Sequence, residues 1–227
     1  MNGEPRGAAT TMRVGLFGGS FNPIHLGHLR AAEEDRETLG LDLVYFIPAA
    51  APPHKSGEDL AAAEHRLAMV QLATKGNRYF MVSEAEVRRS GPSYTVDTIR
   101  YFIRTARAKP EFFLIMGGDQ FAELETWKEA DEITRLSNLA VHTRPADRAD
   151  EPEPRLLATL ERFGYSAKED FFVNPSGHTL TFVATTFFPV SATLIRRKIA
   201  AHQSIRYLVP GDVADYIERH ALYRAGR

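Results

Sequence analysis

Arg13-Val14-Gly15-Leu16-Phe17-Gly18-Gly19-Ser20-Phe21-Asn22-Pro23-Ile24-His25-Leu26-Gly27-His28 joins a short apolar run to a helical one through a glycine-rich turn. Arg13 to Phe17 reads as a buried strand that stops at Gly18-Gly19. From Leu26 to Leu39 apolar and small residues recur at helical spacing, and Gly40 ends the run. The alternation repeats downstream. Strands are expected at Asp42 to Ile47, Tyr79 to Ser83, Glu111 to Met116, Asn138 to Thr143 and Thr179 to Val183. Helices are expected at Leu60 to Ala73, Tyr94 to Ala106, Ala122 to Leu136, Leu156 to Phe163, Ala192 to Ala201 and Asp212 to His220, with an exposed loop at Asp147 to Arg155. Strand and helix in turn are the signature of a parallel sheet covered on both faces. The expected fold is therefore α/β, a doubly wound parallel sheet over residues 13–227 with a small helical C-terminal part from about Ser191.

The chain has 227 residues, enough for one domain that buries its own core without a disulfide or metal staple. Its 44% hydrophobic and 25% charged residues are ordinary for a globular protein and argue against disorder or a fibre. The absence of cysteine removes disulfides, thiolate nucleophiles and cysteine-ligated zinc, and fits a reducing compartment. A formal net charge of -1 supplies no global field for nucleic acid or an anionic membrane, so a bound anion must be held by local groups. Residues 1–12 lack an apolar h-region and read as a disordered leader rather than a signal peptide. No apolar run approaches the roughly 20 residues of a spanning helix, and a cytoplasmic location is expected.

In open α/β sheets ligands bind beyond the carboxyl ends of the strands. The loops to read are Gly18 to His28, Pro48 to Ser56, Ser83 to Thr95, Gly117 to Trp127 and Thr186 to Arg196. The first is neither G-x-x-x-x-G-K-[ST] nor G-x-G-x-x-G. Its glycines permit close backbone approach to a phosphate, and His25 and His28 sit near one face of a first helical turn. Either histidine alone reads as an ordinary cap residue, but the whole eleven-residue string Gly18 to His28 does not read as a plain turn and cap. No third ligand at a familiar spacing makes the pair a zinc site.

Ser191 stands at an expected N-cap, with Thr193 in the first turn and Arg196 one turn on. Two hydroxyls, free N–H groups and a guanidinium make an anion clamp, although a plain cap followed by the solvated face Arg196, Arg197 and Lys198 explains the segment as well. His54 and Lys55 are exposed cations on a proline-stiffened loop. Ser93-Tyr94-Thr95 precedes a helix whose first N–H groups lack partners. Asp119 suits either ribose hydroxyls or a helix cap, Arg144 either a phosphate or a carboxylate, and Trp127, the only tryptophan, either a core or a stacking platform.

Gly18 to His28 resembles the nucleotide-binding loop of the HxGH nucleotidyltransferases. Pro52-Pro53-His54-Lys55, Ser93-Tyr94-Thr95-Val96-Asp97-Thr98, Gly117-Gly118-Asp119, Trp127, Arg144-Pro145, Val190-Ser191-Ala192-Thr193 with Arg196, and Tyr207-Leu208-Val209-Pro210 narrow the resemblance to the bacterial nicotinate mononucleotide adenylyltransferases, over about residues 13 to 223. That resemblance implies a Rossmann-like fold and transfer of the adenylyl group of ATP, accompanied by Mg2+, to nicotinate mononucleotide. The products are deamido-NAD and pyrophosphate, formed by in-line attack without a covalent enzyme intermediate. It assigns Gly18, Gly19, Ser20, Phe21, His25, His28, Ser191, Thr193 and Arg196 to ATP, with His25, His28 and Arg196 catalytic. It assigns His54, Lys55, Tyr94, Thr95, Val96, Asp119, Trp127 and Arg144 to the mononucleotide. Leu194 stands where the family often has an acidic residue, which weakens the cap but not the clamp.

Three rival readings are set apart by features of the sequence. The phosphopantetheine adenylyltransferases are usually shorter and lack SYTVDT. A class I aminoacyl-tRNA synthetase fragment would need a KMSKS-like string, which is absent. A noncatalytic nucleotide sensor would need no second-substrate loop. Neither nucleic acid nor membrane is expected as a partner, and no pattern identifies a self-association face.

Overall fold

A computed structural model describes residues 11–52, 60–143, 154–186 and 188–224. Most of the expected leader, and the positions of His54, Lys55 and Arg144, lie outside the described residues. The elements run β1 (Arg13–Gly19), α1 (Leu26–Leu39), β2 (Leu43–Pro48), α2 (Ala63–Thr74), β3 (Phe80–Val82), α3 (Thr95–Thr105), β4 (Glu111–Gly117), α4 (Gly118–Ala122), a 3-10 turn (Leu124–Thr126), α5 (Ala130–Leu136) and β5 (Asn138–Thr143). They continue with α6 (Pro154–Arg162), β6 (Ser166–Ala167), β7 (Phe172–Val173), β8 (Thr179–Ala184), α7 (Ala192–Ala200) and α8 (Gly211–Arg219).

One sheet of order β3-β2-β1-β4-β5-β8-β7-β6 carries the molecule. Strands β1 to β5 and β8 are parallel, and β7 and β6 add an antiparallel edge. The first six positions follow the doubly wound order, with its switch between β1 and β4, where such sheets open a crevice for ligands. The alternation of β4 shows why the runs are apolar throughout. Phe112, Leu114 and Met116 point into the layer built with α3 to α6, while Phe113 and Ile115 point into the layer with α1, α2, α7 and α8. The C-terminal helices thus complete the layer that α1 and α2 begin. Among the described residues no helix is long and apolar enough to cross a membrane.

The structure departs from expectation at two elements and adds a third that the sequence does not signal. Strand β1 does not stop at Phe17. It runs through both glycines, with Gly18 opposite Ile47 and Gly19 opposite Pro48 on β2, so the turn begins at Ser20. The helix expected over Ala122 to Leu136 is broken into α4, the 3-10 turn and α5. Trp127 N–H closes the 3-10 turn on the Leu124 carbonyl at 3.0 Å, and Glu129 has φ +52°, which no α-helix continues. The β6–β7 hairpin was not anticipated, because two-residue strands are too short to show a period of two.

Candidate active site

Two clefts open at the switch between β1 and β4. A cavity of about 340 Å³ is lined by Ser93, Tyr94, Thr95, Trp127 and the apolar ends of β1, β2 and β4. A second, about 670 Å³, is lined by His25, His28, Ser191, Thr193 and Arg196. Gly18, Gly19, Ser20 and Gln120 line both, so the clefts meet over the glycines.

His25 is the N-cap of α1, and its backbone N–H donates to His28 Nδ1 at 3.2 Å. An Nδ1 that accepts leaves the proton of neutral His28 on Nε2. The two rings stack at 3.6 Å between centroids. His25 is only 7% exposed, and burial lowers its pKa to about 4, so it is neutral near pH 7. Its Nδ1 is buried without a hydrogen-bond partner among the described residues. Gly27 makes this packing possible, since a Cβ there would lie 3.0 Å from Val190 Cγ1 and 3.1 Å from His25 Nδ1. The Leu26 N–H, next in the helix start, is taken by the Leu208 carbonyl at 3.0 Å. The C-terminal Tyr207-Leu208-Val209-Pro210 segment therefore holds the histidine turn in place.

Ser191 caps α7 by accepting the Leu194 N–H at 3.1 Å, and its own O–H remains a donor for a ligand. Arg196 donates to the Asn22 carbonyl at 2.9 Å, which ties the basic helix to the glycine loop and brings it into the cleft with the histidines. The segment read from sequence as either a clamp or a solvated face is divided in the structure: Arg196 is half-buried and lines the cleft, whereas Arg197 is exposed. Phe21 has φ +43° and an almost fully buried ring packed on Phe17, Phe46 and His28. Its ring is a wall of the site, held by aromatic packing that offsets the left-handed backbone.

In the smaller cleft, α3 makes its first internal bond from Thr98 N–H to the Tyr94 carbonyl, leaving the N–H groups of residues 95–97 without helical acceptors. The Val96 side chain is fully buried in the core, so only its backbone is available to a ligand. Trp127 is half-buried on the cleft wall because the chain kinks there. Asp119 is exposed in the first turn of α4 and lines neither cleft; its neighbour Gln120 lines both, its Oε1 accepting the Gly117 N–H at 3.0 Å.

Several residues were not legible beforehand. Arg66, fully buried, donates to the carbonyls of Ala61, Ser20, Ala49 and Ala50, and so fastens the glycine loop to the loop after β2. Asn22 Oδ1 accepts from Ala61 N–H and the Tyr223 hydroxyl. Glu86 lines the smaller cleft at 6% exposure, accepts the Thr98 hydroxyl at 2.5 Å, and is pushed up by burial. Arg66 and Glu86 belong to no motif, and Asn22, although inside the glycine-rich string, gives no sign there of its distant partners; only the fold brings these contacts together.

The cytidylyltransferase-like family matches residues 16–198. A probable nicotinate-nucleotide adenylyltransferase of Syntrophotalea carbinolica is 44% identical over 218 residues, covering 94% of this chain and 98% of the relative. Another probable nicotinate-nucleotide adenylyltransferase, from Geotalea daltonii, is 41% identical over 217 residues, covering 95% and 100%. Among solved structures, Plasmodium falciparum nicotinic acid mononucleotide adenylyltransferase complexed with NaAD superposes with a TM-score of 0.70 over 93% of this chain and 97% of that one. At 14% identity it speaks for the fold alone.

Proposed function

The chain belongs to the cytidylyltransferase-like family and, within it, to the nicotinate-nucleotide adenylyltransferases, and from that membership we propose that it joins ATP to nicotinate mononucleotide, releasing pyrophosphate and deamido-NAD. The observation that carries this reading is the meeting of an anion-clamping cleft and an aromatic cleft over Gly18, Gly19, Ser20 and Gln120. Triphosphate in the larger cleft and pyridine ring in the smaller bring the mononucleotide phosphate to the α-phosphorus of ATP. An oxygen of that phosphate forms the new P–O bond in line, the bond from the α-phosphorus to the bridging oxygen breaks, and the pair of electrons leaves with pyrophosphate. Such a transfer asks for positioning and charge stabilisation rather than a protein nucleophile.

In this scheme His25 and His28 donate from Nε2 to oxygens around the α-phosphate. Arg196, Ser191 and Thr193 hold the triphosphate. The N–H groups of Thr95 and Val96 receive the pyridine carboxylate beside Tyr94, and Trp127 stacks on the ring. His54, Lys55 and Arg144 are proposed for the mononucleotide phosphate on the family's pattern alone, as is Asp119 for a ribose. Mg2+ would arrive with ATP and neutralise part of its charge. The described residues lining the larger cleft include no carboxylate, so phosphate oxygens and water would hold the ion, as they commonly hold Mg2+. The test is product analysis: protein, ATP and nicotinate mononucleotide should give equal amounts of pyrophosphate and deamido-NAD. Phosphopantetheine should release none, and pyrophosphate appearing with it instead would move the chain to a different substrate.

A further inference from the structure

Behind the larger cleft, His142 Nε2 and Asp35 Oδ2 lie 2.6 Å apart. Asp35, on α1, is fully buried, and its other oxygen has no partner among the described residues. Its carboxyl therefore has one hydrogen-bonding function, which is to hold the imidazole. A buried carboxyl is costly to keep, and here its partner is not interior: the His142 side chain is 15% exposed. That ring lines two spaces at once. One is the cleft of His25, His28 and Arg196; the other is an adjoining groove of about 440 Å³ walled by Thr185, Thr186, Phe188, Pro189 and Val190.

The sheet explains this double exposure. His142 is near the carboxyl end of β5, opposite Gly117 of β4 on one side and Val183 of β8 on the other. The phosphate-holding groups gather on the β1–β4 side, and the groove follows β8. A nucleotide with phosphates over the glycines and its base in the groove must lay its ribose across β5. We propose that His142, held by Asp35, hydrogen-bonds a ribose hydroxyl of the adenylyl donor through Nδ1, and so selects ribonucleotides. The proposal rests on the reading of the larger cleft as a triphosphate site. A hydroxyl both donates and accepts, so it suits Nδ1 whichever member of the pair holds the shared proton. A phosphate oxygen, which only accepts, suits one arrangement of the two.

The test is binding of ATP, 2′-deoxy-ATP and 3′-deoxy-ATP by calorimetry, without mononucleotide, in wild type and in Asp35→Asn/His142→Phe. The double variant keeps a ring against Phe17, 5.9 Å away between centroids, and leaves no carboxylate buried without its partner. Wild type should bind ATP about tenfold more tightly than one of the deoxy forms, the usual scale for one hydrogen bond left unmade. The variant should bind that deoxy form as wild type does and lose the preference. A preference retained in the variant, an equal loss for all three nucleotides, or an absence of preference in wild type overturns the proposal. A melting curve with one cooperative transition establishes that the variant is folded. If it is not, His142→Asn, whose amide can occupy the Nδ1 position, must retain part of the preference. Because no turnover is measured, failure of the adenylyl-transfer reading shows separately, as wild type that binds ATP yet releases no pyrophosphate.

Discussion

His28 has two jobs that pull its substitution in one direction by different amounts. Through Nδ1 it accepts the His25 N–H, and in the proposed reaction its Nε2 would donate to the phosphate in the cleft that its ring lines. His28→Ala should lower kcat by roughly 10²–10³, the usual loss for one preorganised donor, and should cost about 1 kcal/mol of stability for the lost cap bond. Steady-state turnover and urea unfolding on the same preparation check both numbers; turnover near wild type would remove this imidazole from the mechanism. His25 makes a different prediction. Its pKa is about 4 when folded, against an ordinary imidazole near 6.5 in the unfolded chain. Below pH 6.5 the unfolded chain takes up a proton that the folded one refuses, so stability declines as pH falls from 6.5 towards 4, by about 3 kcal/mol in all. His25→Gln cannot be charged and should flatten that part of the pH–stability curve. An unchanged slope in the variant would contradict a buried neutral His25.

Among the elements, the glycines at the β1–α1 junction act in two different ways. A Cβ on Gly18 would meet nothing within 4 Å, although the residue lines both clefts, whereas one on Gly27 would press on Val190 and His25. Gly18→Ala should therefore leave stability within about 0.5 kcal/mol and raise KM for the substrates. Gly27→Ala should displace the His25 ring and lower kcat at least about tenfold, a misplacement effect. Thermal melts beside kinetics distinguish the two, and matching kinetic defects would contradict the assignment. This junction was legible in the sequence because its signals are local: a strand-length apolar run, paired glycines, then helical spacing. The parallel strands β1, β2, β4, β5 and β8 were legible for the same reason. The broken helix around Trp127 was not, because apolar spacing over Ala122 to Leu136 continues across a kink that Glu129 makes by its backbone. The placement of Trp127 and Arg196 beside their clefts is a tertiary fact, as is the burial of Val96.

One buried guanidinium and one asparagine bind the site together across the chain. Arg66 joins α2 to the loops after β1 and β2, and Asn22 joins the glycine loop to Arg196 on α7 and to Tyr223 near the C-terminus. An ammonium cannot span the four carbonyls that the planar guanidinium reaches, so Arg66→Lys should cost about 2–3 kcal/mol and raise KM for both substrates. A shift confined to one substrate would contradict its bridging role. The bridge made by Arg66 was not legible in the sequence, since its partners are backbone carbonyls, which carry no residue identity.

Binding of a pyridine carboxylate in the smaller cleft, as proposed, is checked by kcat/KM for nicotinate against nicotinamide mononucleotide with saturating ATP. The N–H groups at the start of α3 meet a carboxylate with charge-assisted bonds, whereas an amide nitrogen brings hydrogens to groups that only donate. Loss of those bonds, together with an unpaired buried group, predicts a preference for the acid of at least roughly 10²-fold; comparable efficiency with the two mononucleotides would contradict both the carboxylate-binding helix start and the proposed reaction.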